Sequence, residues 1–211
     1  MAATSPVENN KRQAIIDAAT EAFLLHGYAG TSMDKVAAVA GAARRTVYNQ
    51  FESKEALFEA TVENLWQTLD VSLVTGAAAA DLGAREGLLR LGMAVAEFWT
   101  PPVTVAFMRM VIAEGTRFPD LPKRFFLAGK TVTLRAVADF LKLLQGNGLI
   151  AIEDRALATR QFLGLIDEPL LWVRVVGINE TYTPAQRRAI VETAVDMFLG
   201  FYRRPSLIAT Q

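Results

Sequence analysis

Apolar residues recur along this chain at spacings of three and four, the period of a helix with one buried face, and period-two alternation is absent. Ile15, Ile16, Ala19, Ala22 and Phe23 mark the first face, on a helix expected to stop at His26-Gly27, with Ser5 and Glu8 able to form a capping box at its start. Val36, Val39 and Ala40 give the face of a brief second helix. Its start at Thr31, Ser32 and Asp34 offers oxygens to orphan backbone N–H groups, and Gly41 lets the chain leave through a left-handed conformation. From about Ala43 to Gln50 a third helix separates its faces, with Ala43, Val47 and Phe51 inward and Arg45, Tyr48 and Asn49 outward. Ser53 can then cap a fourth helix running through Phe58, Val62, Leu65, Trp66 and Leu69.

The remainder keeps the helical period. Leu88, Leu89, Leu91, Met93, Val95 and Phe98 predict a helix that ends at Thr100-Pro101-Pro102, followed by another from Val103 to Arg117. Asp120 can cap the next, which carries Phe125 through Leu144 and ends at Gly146 and Gly148. Residues from about 153 to 176 are apolar on more than one face, so that helix has to be covered on both sides; Pro169 predicts a kink in it. Thr183-Pro184-Ala185-Gln186 combines an N-cap hydroxyl, Pro at N1 and Gln at N3, opening a last helix with a wide apolar stripe to Tyr202. Arg203 to Gln211 reads as frayed. The fold class is therefore all-α. Thr75-Gly76 and the following alanines weaken the pattern, which places a boundary between residues 1–55, with a linking helix to about 75, and residues 76–211.

Composition narrows the chemistry. In 211 residues, 22 basic and 22 acidic side chains give a formal charge of +0, so any grip on a polyanion has to come from a local arrangement. Cysteine is absent and His26 is the one histidine, which removes disulfides and the common zinc spacings; no metal and no cofactor is expected. No Ser-His-Asp set or Gly-rich phosphate loop is present, and an enzyme is not expected. An apolar share of 52% suggests surface hidden by a partner chain as well as by the core. The longest uncharged stretches are too short and too interrupted to span a bilayer, and no secretory signal opens the chain, so the cytoplasm is the expected compartment.

The third helix carries the sharpest chemistry. Two guanidiniums, a phenol, an amide and a hydroxyl on Arg44, Arg45, Tyr48, Asn49 and Thr46 form an inventory suited to phosphate oxygens and base edges. A solvated basic face is the plainer alternative. The order of parts favours the former: helix, glycine turn and polar-faced helix is the helix-turn-helix arrangement, and Lys54 stands at the N-terminus of the next helix, where an ammonium can help hold phosphate.

The stretch from Gly27-Tyr28 to Leu57-Phe58 resembles the N-terminal domain of the TetR/AcrR family of transcriptional regulators. The matching positions are Gly27-Tyr28, Thr31-Ser32, Val36-Ala37, Ala40-Gly41, Thr46-Val47-Tyr48, Phe51 and Ser53-Lys54-Glu55-Ala56-Leu57-Phe58. The resemblance implies that the third helix enters the major groove of double-stranded operator DNA and that Tyr48, Lys54 and Ser32 meet phosphates. Asn49 and Gln50 stand where such proteins often have His and an aromatic, so base preference does not carry over. The resemblance also implies a C-terminal helical half that binds a small-molecule effector and makes a homodimer. The last two long helices, about 153–176 and 184–202, are the expected dimer surface.

For the effector, Met93, Phe98, Trp99, Phe107, Met110, Phe126 and Trp172 would suit an apolar pocket; a filled core with no cavity is the competing reading. Asp167, Glu168 and Arg174 interrupt an apolar helix. Asp167 could meet a cationic or hydroxylated effector and Arg174 a carboxylate, although pairing with neighbouring helices or with solvent at a dimer rim is the plainer expectation. Together these readings point to a homodimeric, ligand-responsive regulator, a repressor released from its operator by a small, largely apolar effector. The alternative is a helical ligand-binding or scaffold dimer without DNA binding.

Overall fold

The computed structural model describes residues 6–71 and 82–202. The capping box of Ser5 and Glu8, the boundary near Thr75-Gly76 and the tail from Arg203 lie outside the described residues. In chain order the helices are α1 (Pro6–Gly30), α2 (Met33–Val39), α3 (Arg44–Gln50), α4 (Lys54–Trp66), α5 (Ala84–Phe98), α6 (Pro102–Glu114), α7 (Asp120–Phe125), α8 (Thr131–Gly146), α9 (Arg155–Asp167) and α10 (Pro184–Tyr202). Two π-helical stretches, Phe126–Lys130 and Glu168–Trp172, follow α7 and α9, and a last turn, Val173–Val175, follows the second. No single described helix is long and apolar enough to cross a membrane.

These elements form two compact units. The first takes residues up to Thr68 together with Val103–Thr131, so α6 and α7 pack with the N-terminal helices although α5 intervenes in sequence. Its centre is aromatic. Phe58 is fully buried, with Phe23 and Tyr28 edge-on at 5.7 and 5.5 Å and Phe107 stacked at 5.6 Å. Offset and edge-on rings add about 0.5–1.5 kcal/mol per pair beyond their burial. The expected face of α1 is buried throughout, and the helix breaks at Gly27, whose φ of 70° only glycine adopts without strain. A side chain there would also strike the Glu114 carboxylate, because a Cβ would lie 2.5 Å from its Oε1.

The second unit takes Leu69–Pro102 and the chain from Val132 onward. Here α5 packs against α9 and α10. Gly92 permits the approach, since a Cβ on it would fall 2.5 Å from the Val191 side chain. The start of α10 is as the sequence predicts: Gln186 N–H donates to Thr183 Oγ1 at 3.2 Å and Thr183 N–H donates to Gln186 Oε1 at 2.8 Å.

Several local expectations are corrected. The inward face of α2 is Met33, Val36 and Ala37, and Val39, the last residue of this helix of about two turns, is exposed. Ala43 is exposed as well and stands as the N-cap of α3. Asp120 is the first residue of α7 and not its cap; its carboxylate accepts from Lys123 Nζ at 3.1 Å. The stretch from Asp120 to Gly146 is not one α-helix, because Phe126–Lys130 winds as a π-helix and sets Gly129 against the Trp66 indole, where a Cβ would come within 2.1 Å of ring atoms. The kink expected at Pro169 takes the form of the second π-helical stretch, consistent with a residue that lacks an N–H and crowds the carbonyl four residues back.

Candidate nucleic-acid interface

The site is assembled by side-chain caps on α2 and α4 and a glycine turn that leads into α3. Ser32 Oγ accepts from Lys35 N–H at 3.3 Å and caps α2. Thr31 does different work: it is buried, and its hydroxyl donates to the Ala22 and Gly27 carbonyls at 2.9 and 2.8 Å, which ties the broken end of α1. Gly41, at φ 60°, turns the chain from α2 into α3. Ser53 Oγ caps α4 by accepting from Ala56 N–H at 3.1 Å.

On α3, Val47 is fully buried and Phe51 nearly so, and these anchor the helix. Arg45, Tyr48 and Asn49 are all exposed, at positions i, i+3 and i+4, so they share one outward side. Thr46 is half-buried on the flank. Arg44 is exposed too, but its guanidinium donates to the Asp34 carboxylate on α2. Arg12 lies over the Phe51 ring at 4.8 Å and covers the far edge of the anchor.

Lys54 is placed otherwise than a free surface ammonium. Its Nζ donates to the Tyr28 and Thr31 carbonyls at 2.9 and 3.1 Å and sits 4.3 Å from the centre of the Tyr28 ring. Burial holds this ammonium below its ordinary pKa. Tyr28 in turn donates its hydroxyl to Glu55 Oε1 at 2.9 Å. Burial first, and that hydrogen bond second, push the phenol well above its usual range. Glu55 is held below the ordinary carboxylate value, first by its own backbone N–H and then by the Tyr28 hydroxyl. Lys54 therefore locks the start of α4 to the corner between α1 and α2, with two of its three N–H donors engaged.

Comparison with known proteins is decisive at this point. Residues 86–204 match the family described as AefR-like transcriptional repressor, C-terminal domain, and residues 15–61 match bacterial regulatory proteins of the tetR family. This chain belongs to the TetR family of transcriptional regulators. It is 27% identical over 203 residues to the HTH-type transcriptional regulator SrpR of Pseudomonas putida, covering 96% of this chain and 90% of SrpR. A TetR-family regulator from Mesorhizobium loti superposes with a TM-score of 0.80 at 28% identity, covering 95% of this chain and all of the other. The flavonoid-responsive regulator FrrA superposes with a TM-score of 0.75 at 29% identity over 94% of this chain and 100% of FrrA.

In this TetR-family chain the residues expected around an effector are divided between the units. Phe107, Met110 and Phe126 belong to the first, where Phe107 is fully buried among rings and Phe126 is exposed. Met93, Phe98, Trp99, Asp167 and Trp172 belong to the second. There the Phe98 and Trp99 rings meet at 4.7 Å, and the Trp99 indole N–H donates to Asp167 Oδ1 at 2.7 Å, whereas Trp172 is half exposed. Arg174 donates to the Trp99 and Thr100 carbonyls, the latter at 3.2 Å, at the C-terminal end of α5. Asp167 and Arg174 thus both bond to groups at the C-terminal end of α5 in the same chain. Sequence reasoning missed Arg187 and Tyr182, which stand beside Arg174; no periodicity marks them. It also missed the Tyr28–Glu55 bond, which spans 27 positions.

Proposed function

We propose that this TetR-family chain acts as a homodimeric, ligand-responsive repressor that reads operator DNA with α3. The observation that carries the reading is the outward grouping of Arg45, Tyr48 and Asn49 above a buried Val47. Arg45 and Asn49 are assigned to base edges, Tyr48, Ser32 and Lys54 to phosphate, and Arg44 and Thr46 to the flanks of the contact. Residues 1–55, with the linking helix to about 75, are assigned to DNA and residues 76–211 to effector and dimer. Each reader takes one half-site, with the two about 34 Å or a multiple of that apart.

Self-association is supported by the outer side of α9 and α10. Leu157, Met197 and Phe201 are exposed, the last by 80%, and Met197 and Phe201 line an open groove of about 650 Å³ with Gly164 and Leu165. An apolar face of this kind on two adjacent helices suits a four-helix contact across a two-fold axis. The effector is assigned to the helical half as a small, largely apolar molecule, a reading supported by the likeness to a flavonoid-responsive regulator. It releases the operator by no more than its differential affinity for the DNA-competent and DNA-incompetent forms. The cytoplasm is the compartment that fits.

The test is fluorescence polarisation on fragments of the promoter region beside the gene, at several salt concentrations. Specific binding with a steep salt dependence is expected. Dimerisation and ligand binding without salt-sensitive, sequence-dependent DNA affinity would replace this reading with the scaffold alternative.

A further inference from the structure

The second unit holds a small cavity of about 90 Å³ between the end of α5, the second π-helical stretch and the start of α10. Its apolar wall is Ala96, Trp99 and Leu170, the last two almost wholly buried. Two guanidiniums, Arg174 and Arg187, face the same space. Neither has a carboxylate partner within ion-pair distance among the described residues. Arg174 is held by the carbonyls of Trp99 and Thr100, and Arg187 Nη1 donates to the Tyr182 carbonyl at 2.6 Å. Arg187 Nε is buried and has no hydrogen-bond partner in the protein.

A buried guanidinium donor without an acceptor is costly unless something external supplies one. The one acid in the lining, Glu180, is exposed and lies against the Tyr182 hydroxyl. The buried Asp167 is already engaged by the Trp99 indole. Two cations against one peripheral anion leave the cavity with a positive balance, and burial already holds Arg174 below its ordinary range. Planar guanidiniums match the two oxygens of a carboxylate. The π-helical stretch that brings Leu170 to the wall is a winding that proteins often keep at binding sites.

We propose that this cavity is a carboxylate site, taking a small organic acid with its charged end between Arg174 and Arg187 and its apolar end on Trp99 and Leu170. The half-open cavity admits a short acid entirely, or the head of a longer one whose tail extends outward. The proposal deepens the effector reading above and rests on it only for any consequence at DNA.

The experiment is calorimetric titration of the full chain, without DNA and at constant ionic strength, with butyrate and benzoate and with the neutral shape-matched butyramide and benzamide. Both acids are expected to bind, with each amide weaker by about tenfold or more, since a charge-assisted hydrogen bond accounts for that factor. Arg187→Gln is expected to weaken both acids by about tenfold or more and to leave the amides unchanged. Arg174→Gln should do the same; because Arg174 also holds the end of α5, Arg187→Gln decides the matter if the Arg174 variant does not fold. Amides that bind as well as acids, acid affinity unchanged in Arg187→Gln, or no heat of binding at millimolar acid would each overturn the site. Failure of DNA reading alters none of these results.

Discussion

Two places in this molecule interrupt an apolar helical pattern with charge, and the fold treats them oppositely. On α3 the polar groups of Arg45, Tyr48 and Asn49 are turned to solvent, and none is held by a hydrogen bond or ion pair among the described residues. At the junction of α5 and α9 the polar groups are turned inward, with Asp167 accepting from Trp99 and Arg174 holding the end of α5. The first arrangement leaves donors and acceptors for an external partner while Val47 and Phe51 supply the anchorage beneath. The second uses its polar groups to lessen the cost of their own burial. Stability and the proposed reading of DNA should therefore rest on different residues, and substitutions in the two places should separate them.

The strongest test of that separation lies beneath the reader. Phe58→Ala removes the ring at the centre of the aromatic cluster and should destabilise the first unit by about 3–5 kcal/mol, as measured by urea unfolding. DNA affinity should then fall in proportion to the folded fraction and no further. Asp167→Ala, which removes the carboxylate that accepts the Trp99 N–H, should cost about 1–3 kcal/mol. Asp167→Asn should cost less, because the amide oxygen can still accept. A DNA affinity that drops in either Asp167 variant while the protein remains folded would break the contrast.

On the exposed side the effects reverse. Arg45→Ala should change unfolding by less than about 0.5 kcal/mol, the usual range for an exposed substitution. Its affinity for the specific site should fall by about 1–3 kcal/mol, with loss of preference at one base pair. Equal losses on specific and random DNA would move Arg45 from base reading to phosphate contact.

A smaller effect follows from the pairing of Tyr28 with Glu55. In the folded protein Glu55 titrates below its ordinary 4.5, so the stability it contributes is complete above that value and is lost as pH falls through the lower folded value. Wild-type stability should therefore decline more steeply with acid below about pH 4.5 than that of Glu55→Gln, the ordinary value marking where the loss starts. Parallel acid profiles would show the bond to be thermodynamically silent.

How much of this was legible beforehand differs by region for physical reasons. Ser32 and Ser53 as caps, Gly41 in the left-handed region and the two sides of α3 all follow from interactions within a few residues, and the sequence displays such interactions directly. Val39 and Ala43 misled because helices of seven residues leave their ends beyond the reach of the core. The Trp99–Asp167 bond spans 68 positions and Arg174 reaches the end of α5 across 74, and no local pattern encodes either pairing. Likewise, α6 and α7 pack with the N-terminal helices only because the chain returns there after α5. Lys54 was legible as the first residue of α4, but its bonds to the Tyr28 and Thr31 carbonyls, 26 and 23 positions away, were not.

The finest division falls within the reader itself, at the ion pair between Arg44 and Asp34. The side chains are 70% and 45% exposed, and a surface pair of this kind contributes less than about 1 kcal/mol, so Arg44→Ala and Asp34→Ala should both leave unfolding nearly unchanged. Their effects on DNA should have opposite signs. If Arg44 flanks the DNA contact as proposed, removing it deletes a cation near the phosphates and should lower the salt slope by about 1. Removing Asp34 releases that same cation and deletes an anion that repels the backbone, so binding to random DNA should tighten modestly at low salt and converge with wild type as salt screens both charges. Two variants that weaken DNA binding alike would mean that Asp34 holds Arg44 in its working position, making the pair part of the reading surface instead of a restraint upon it.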